Sequence, residues 1–169
     1  MAVDPLVARL WFESVDIDKS GSLCAKELRQ ALDIGGLSFS LGQAHLFVRA
    51  FDSQGNHRLN VNEFVALHSF LAGAQECFAQ AARGARALAA ADAAQALGRL
   101  GFTADAPAMQ ALLSRHDPEA KGLLTAENFL SMSLFMLSAR RAFTTFDTAR
   151  SGRIELSFNQ FVYTSSHLA

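Results

Sequence analysis

The 169 residues include only two cysteines, Cys24 and Cys77, and neither has a close partner in sequence. A disulfide framework is therefore excluded as the organising device, and a reducing, cytosolic setting is the expectation. Long apolar runs are lacking too. Half of the residues are hydrophobic, yet the longest candidate, residues 129–137, is broken by Ser131 and Ser133 and falls short of the roughly eighteen residues a membrane span needs. The opening residues Met1, Ala2, Val3, Asp4 and Pro5 show neither the basic start nor the apolar stretch expected of a secretion signal. Surplus positive charge is missing as well. Fifteen Lys and Arg stand against sixteen Asp and Glu, a net charge of −1, which argues against nucleic acid as the main partner. No Ser/His/Asp or Cys/His constellation and no glycine-rich phosphate loop is discernible, so the chain is not read as an enzyme. His45, His57, His68, His116 and His167 show no ligand spacing and read as ordinary surface or core residues.

What is present is a loop rich in oxygen donors. Residues 16–27 read Asp-Ile-Asp-Lys-Ser-Gly-Ser-Leu-Cys-Ala-Lys-Glu. A twelve-residue calcium loop takes ligands from positions 1, 3, 5, 7 and 12 and needs a glycine at position 6 for its sharp turn. Asp16, Asp18 and Ser20 offer side-chain oxygens, Ser22 its backbone carbonyl and Glu27 a bidentate carboxylate, with Gly21 at the turn. Leu23 at position 8 is the apolar residue that seats such a loop against a neighbour. Cys24 at position 9 is a poor oxygen substitute, but that position often acts through water. Bound calcium could lower the Cys24 thiol pKa, but redox sensing there is set aside, and Cys77 reads as packed inside a helix.

The same frame recurs with weaker ligands. Further loops fall at residues 52–63, 117–128 and 147–158, carrying Leu59, Leu124 and Ile154 at position 8. Shifting the first two hands by 65 residues places another at 81–92, with Leu88 in register. That shift also carries Leu32 onto Leu97, Gly36 onto Gly101, Phe64 onto Phe129, Phe70 onto Phe135 and the helix starter Ser40 onto Asp105. An internal duplication accounts for this agreement. The five loop starts are spaced 36, 29, 36 and 30 residues apart. The longer step leaves room for two helices of about three turns each, the shorter one for a single helix. Two long helices, at roughly 61–80 and 126–146, must therefore be shared between neighbouring hands. The expected fold is all-α, about eight helices in five helix–loop–helix hands with short β pairings between loops, forming one domain over residues 1–169. The alanine-rich stretch 79–96 reads as part of this frame and not as low complexity.

Five loops at these steps, together with the phrases FESVDIDKSGSLCAKELRQAL, GGLSFSLGQAHLFVRAFD and FNQFV, resemble the penta-EF-hand family over nearly the whole chain. The resemblance implies calcium as the metal and dimerisation through the fifth hand. Two departures stand out: the glycine- and proline-rich amino-terminal tail of many members is not seen, and the third hand, often a good metal site in the family, is ruined here.

Ligand chemistry ranks the loops. The first is complete. The second offers Asp52, Gln54, Asn56, the carbonyl of Arg58 and Glu63, but His57 takes the glycine position and only two donors are carboxylates, so weak binding at most is expected. The third has arginines and methyl groups where ligands belong. The fourth keeps Asp117 and Glu119 but has Lys121 at position 5 and Asn128 at position 12. In the fifth, Ala149 and Phe158 replace ligands. These last three are read as structural. Leu23 with Leu59 and Leu88 with Leu124 are expected to pair, leaving the edge around Ile154 open for a second subunit. Phe12, Phe47, Phe51, Phe64, Phe70, Phe78, Phe129 and Phe135 recur at helical intervals and read mainly as core. The preferred function is a cytoplasmic, calcium-responsive adaptor that exposes an apolar surface to a protein partner, or to a membrane through peripheral association, as a homodimer or a heterodimer with another penta-EF-hand chain. The rival reading is a regulatory or scaffolding subunit, of the calpain small-subunit type, that pairs with such a chain and is largely insensitive to calcium. A calcium buffer fits less well, since a buffer gains from many sites.

Overall fold

The computed structural model describes residues 5–117, 119–166 and 168. His167 and the opening residues Met1 to Asp4 lie outside them. Among the described residues there are eight helices and two short antiparallel strand pairs. The order is α1 (Pro5–Val15), β1 (Ser22–Leu23), α2 (Ala25–Ile34), α3 (Leu41–Phe51), β2 (Leu59–Asn60), α4 (Val61–Ala82), β3 (Ala87–Ala89), α5 (Ala90–Arg99), α6 (Ala106–His116), β4 (Leu123–Thr125), α7 (Ala126–Phe146) and α8 (Phe158–Ser166). The two long helices α4 and α7 sit where loop spacing demanded shared helices. No described helix is long and apolar enough to cross a membrane.

The duplication extends to element boundaries. A shift of 65 residues carries α2 onto α5 and α3 onto α6 end for end, and the start of α4 onto the start of α7. The turns repeat as well. After α2, the Leu37 N–H donates to the Leu32 carbonyl at 2.9 Å across Gly36 at φ 78°. After α5, Phe102 donates to Leu97 at 2.9 Å across Gly101, also at φ 78°. This six-to-one bond closes a helix end through a left-handed residue, a conformation that costs glycine little. The following helices start on matching caps: the Ser40 Oγ accepts from the Gln43 N–H, and the Asp105 Oδ1 from Ala108. Each satisfies a helix donor that would otherwise be unpaired, worth about 1 kcal/mol.

The strand pairs join loops within each half. Leu23 lies opposite Leu59 and Leu88 opposite Leu124, and all four are essentially sealed from water. Burying a leucine side chain contributes roughly 1.5–3 kcal/mol, so these four side chains hold the loops in two pairs whatever the loops bind. The phenylalanines behave as core. Phe12, Phe47, Phe51, Phe64 and Phe129 are buried, and Phe70, Phe78 and Phe135 pack half-buried against them. Cys77 also packs against this core from inside α4, where burial pushes its thiol pKa up.

Two regions break the symmetry. The helix entering the third hand continues to Ala82, two residues into the span read as its loop, and ends on Arg83 in the left-handed region at φ 49°. The residue that terminates α1 is instead followed by Asp16, whose carboxylate collects the N–H groups of the next turn. Ala81 has no such group, so nothing halts the helix there. At the other end of the chain, α8 contains no buried residue.

Candidate metal centre

An EF-hand loop is built around left-handed residues that turn backbone N–H groups inward. In the first loop these are Lys19 at position 4 (φ 53°) and Gly21 at position 6 (φ 75°). The second has Gly55 and His57 at φ 71° and 59°, the fourth Ala120 and Gly122 at 50° and 70°, the fifth Arg150 and Gly152 at 52° and 74°. The third breaks the pattern, with Arg83 and Gly84 at positions 3 and 4.

The aspartate at position 1 holds each of the four regular loops. Asp16 accepts from the N–H groups of Ser20 at 3.0 Å and Gly21 at 2.8 Å. Asp117 takes those of Lys121 and Gly122, and Asp147 those of Ser151 and Gly152. At Asp52, partial burial pushes the carboxyl up, but donors from His57, Gly55, Asn56 and Gln54 outweigh it and the net pKa lies below the ordinary carboxylate value.

The first loop alone goes further. The carboxylates of Asp16, Asp18 and Glu27 can each bring an oxygen within 4.8 Å of the others, the one such group of three acidic, histidine or cysteine side chains among the described residues. Hydrogen bonds from the Ser20 hydroxyl and then its N–H hold the Asp18 carboxyl below its ordinary pKa, so it is ionised at neutral pH. Glu27 is buried at the start of α2, and its Oε2 accepts the Cys24 N–H at 2.9 Å. Ser20 Oγ and the Ser22 carbonyl lie together at 2.9 Å. This all-oxygen donor set, with three carboxylates, fits a hard divalent cation that takes six to eight oxygens.

The second loop lacks that convergence. Its Glu63 is buried like Glu27 and caps α4 through the Asn60 N–H at 2.9 Å. Its other oxygen is taken by the backbone N–H and hydroxyl of Ser53, a partner not foreseen from sequence. Asn56 and Gln54 bond to each other at 3.2 Å. In the fourth loop Lys121 pairs with Glu119, so that loop supplies its own cation. Loop position gives Arg58 only a carbonyl ligand and no role for its side chain, but the register that sets Leu59 against Leu23 sends the guanidinium into the first loop, where it contacts Ser20 and Ser22.

Residues 7–69 match the family described as an EF-hand domain pair. Human peflin is 33% identical over 163 residues, covering 95% of this chain and 57% of peflin. Penta-EF hand domain-containing protein 2 of Dictyostelium discoideum is 30% identical over 151 residues, covering 89% of this chain and 73% of that protein. A solved homolog of programmed cell death 6 protein from Leishmania major superposes with a TM-score of 0.68 at 26% identity, covering 99% of this chain and 95% of that one. The fold and the paired loops define an EF-hand protein. The chain belongs to the penta-EF-hand family, and its metal is calcium. It spans little more than half the length of the human peflin that it matches.

Proposed function

We propose that these residues form a single penta-EF-hand domain, with hands centred on residues 16–27, 52–63, 81–92, 117–128 and 147–158, that binds calcium at the first hand. The ligands are Asp16, Asp18, Ser20, the Ser22 carbonyl and Glu27. The observation that carries this reading is the convergence of the Asp16, Asp18 and Glu27 carboxylates within 4.8 Å. The second loop, with Asp52, Gln54, Asn56, the Arg58 carbonyl and Glu63, is a weaker site at most, since Ser53 already engages Glu63. Metal at the first hand changes the angle between its helices, and the domain acts as a calcium-responsive adaptor rather than a catalyst. An apolar cleft of about 1030 Å³ between α6 and α7, lined by Leu112, Phe135, Met136 and Phe143 among others, is suited to a partner segment. A cytoplasmic location and peripheral contact with membranes fit the same reading.

Dimerisation through the fifth hand is supported by the outward face of α8, where Phe158, Phe161, Val162 and Tyr163 are exposed, and by Ile154, which pairs with no strand among the described residues. The partner is a second copy or another penta-EF-hand chain. Sedimentation at micromolar concentration should give a dimer, and a monomer there would remove this element.

Calorimetric titration in physiological salt and magnesium tests the metal site. Binding at roughly 10⁻⁷ to 10⁻⁵ M that disappears in Glu27→Ala is the expected outcome. A weaker event surviving in that variant would credit the second loop. No binding up to about a millimolar, the weak extreme for such loops, would favour the rival reading of a regulatory or scaffolding subunit. The depleted third, fourth and fifth loops support that rival. Binding of an apolar dye with and without calcium separates the two, because only the adaptor changes its exposed surface.

A further inference from the structure

The first loop already receives a cation from the chain itself. The Arg58 side chain leaves β2's flank and crosses the strand pair, whose register sets Ser22 opposite Asn60 and Leu23 opposite Leu59. Its Nε donates to Ser22 Oγ at 2.7 Å, and its Nη2 donates to the Ser22 carbonyl and to Ser20 Oγ, each at 2.8 Å. The same nitrogen lies 3.5 Å from Asp18 Oδ2 and 3.6 Å from Glu27 Oε2. These groups stand at loop positions 3, 5, 7 and 12. Four of the five calcium ligands therefore face one guanidinium, and the fifth, Asp16, is turned to the N–H groups of Ser20 and Gly21.

A guanidinium suits such a site because its planar fork offers several N–H donors to oxygens in fixed directions. It cannot share the site with calcium. The ion needs those oxygens at about 2.3–2.6 Å, and a positively charged nitrogen 2.8 Å from two of them occupies the same space. Resting on the first-hand reading above, we propose that Arg58 is a tethered competitor for the first calcium site and sets its affinity, metal entering only as the guanidinium withdraws from Asp18, Ser20, Ser22 and Glu27. The apparent affinity is then the intrinsic affinity reduced by the fraction of molecules in which the side chain is out. The withdrawal route is open, since the Arg58 side chain is one-third exposed. The duplicated half has no equivalent, because the 65-residue shift places Leu123 at that position.

The test compares wild type, Arg58→Gln and Arg58→Lys. Glutamine removes the charge but keeps the backbone carbonyl of the second loop. Arg58→Gln should bind calcium about tenfold more tightly, a modest factor because the ion pair is partly exposed, and Arg58→Lys should fall between. In EDTA the melting temperature of Arg58→Gln should drop below wild type, and saturating calcium should close that gap. In wild type, the Arg58 Nε–H resonance should be resolved and slowly exchanging in EDTA, then move and exchange faster as calcium is added. Equal affinities for wild type and Arg58→Gln, or an Arg58 Nε–H signal unmoved at calcium saturation, would overturn the proposal while leaving the first hand a calcium site. Failure of folded wild type and folded Arg58→Gln alike to bind calcium would instead overturn the first-hand reading and the proposal with it.

Discussion

The first and third hands occupy equivalent places in two copies of one architecture, and they share almost none of their loop chemistry. Residues 16–27 bring three carboxylates together, whereas residues 81–92 offer a lone Asp92 among alanines and arginines. Yet Leu88 pairs with Leu124 as Leu23 pairs with Leu59, and α5 matches α2 residue for residue in extent. The hand is thus held by its strand contact, its helix caps and its core, and the ligands are an addition to that frame. What the third hand lost with its position-1 aspartate is the ordered turn. Loops four and five have incomplete ligand sets, but Asp117 and Asp147 still gather their N–H groups and both loops keep the regular pair of left-handed residues.

If the frame is independent of the metal, equivalent core cuts should cost the same in both halves. Leu23→Ala and Leu88→Ala should each lose about 3 kcal/mol of unfolding free energy in urea with EDTA present. A much larger loss at Leu23 would tie the first hand's fold to its metal chemistry. The halves should differ more in acid. The shift of 65 sets His116 of α6 where buried Phe51 stands in α3. Burial, and then the adjacent Arg115, push His116 down to about 4. Its unfolded value is near 6.5, so the stability its neutral form contributes is present above pH 6.5 and is lost as pH falls toward 4. The second half should weaken first over that window, by less than a leucine cut, and His116→Phe should flatten the profile followed by amide exchange.

Smaller effects sharpen the contrast among loops. Asp117→Ala and Asp147→Ala should each lower the melting temperature without calcium, by less than a leucine cut, because two N–H groups lose their carboxylate acceptor. Asp92→Ala should cost less, as its loop has no such nest; equal losses would show that the ordered turn contributes nothing. The least change is expected at His57, which holds φ 59° where the first loop has glycine. His57→Gly should relieve strain by about 0.5–1 kcal/mol, read as a higher melting temperature. No gain would mean that contacts of the imidazole offset the backbone cost.

Position and spacing alone made much of this molecule legible. Ligand residues at fixed intervals marked the first loop, the loop steps required the shared helices α4 and α7, and apolar residues at position 8 named the strand partners. Each of these depends on local periodicity, which the chain carries within a few dozen residues. The tertiary structure decided the rest. It carried α4 to Ala82, turned Ser53 onto Glu63, left α8 with no buried residue and sent Arg58 across a strand pair into a loop some forty residues earlier in the chain. The reach of a long side chain across a strand register depends on where two distant segments lie in space, and no spacing within either segment encodes that.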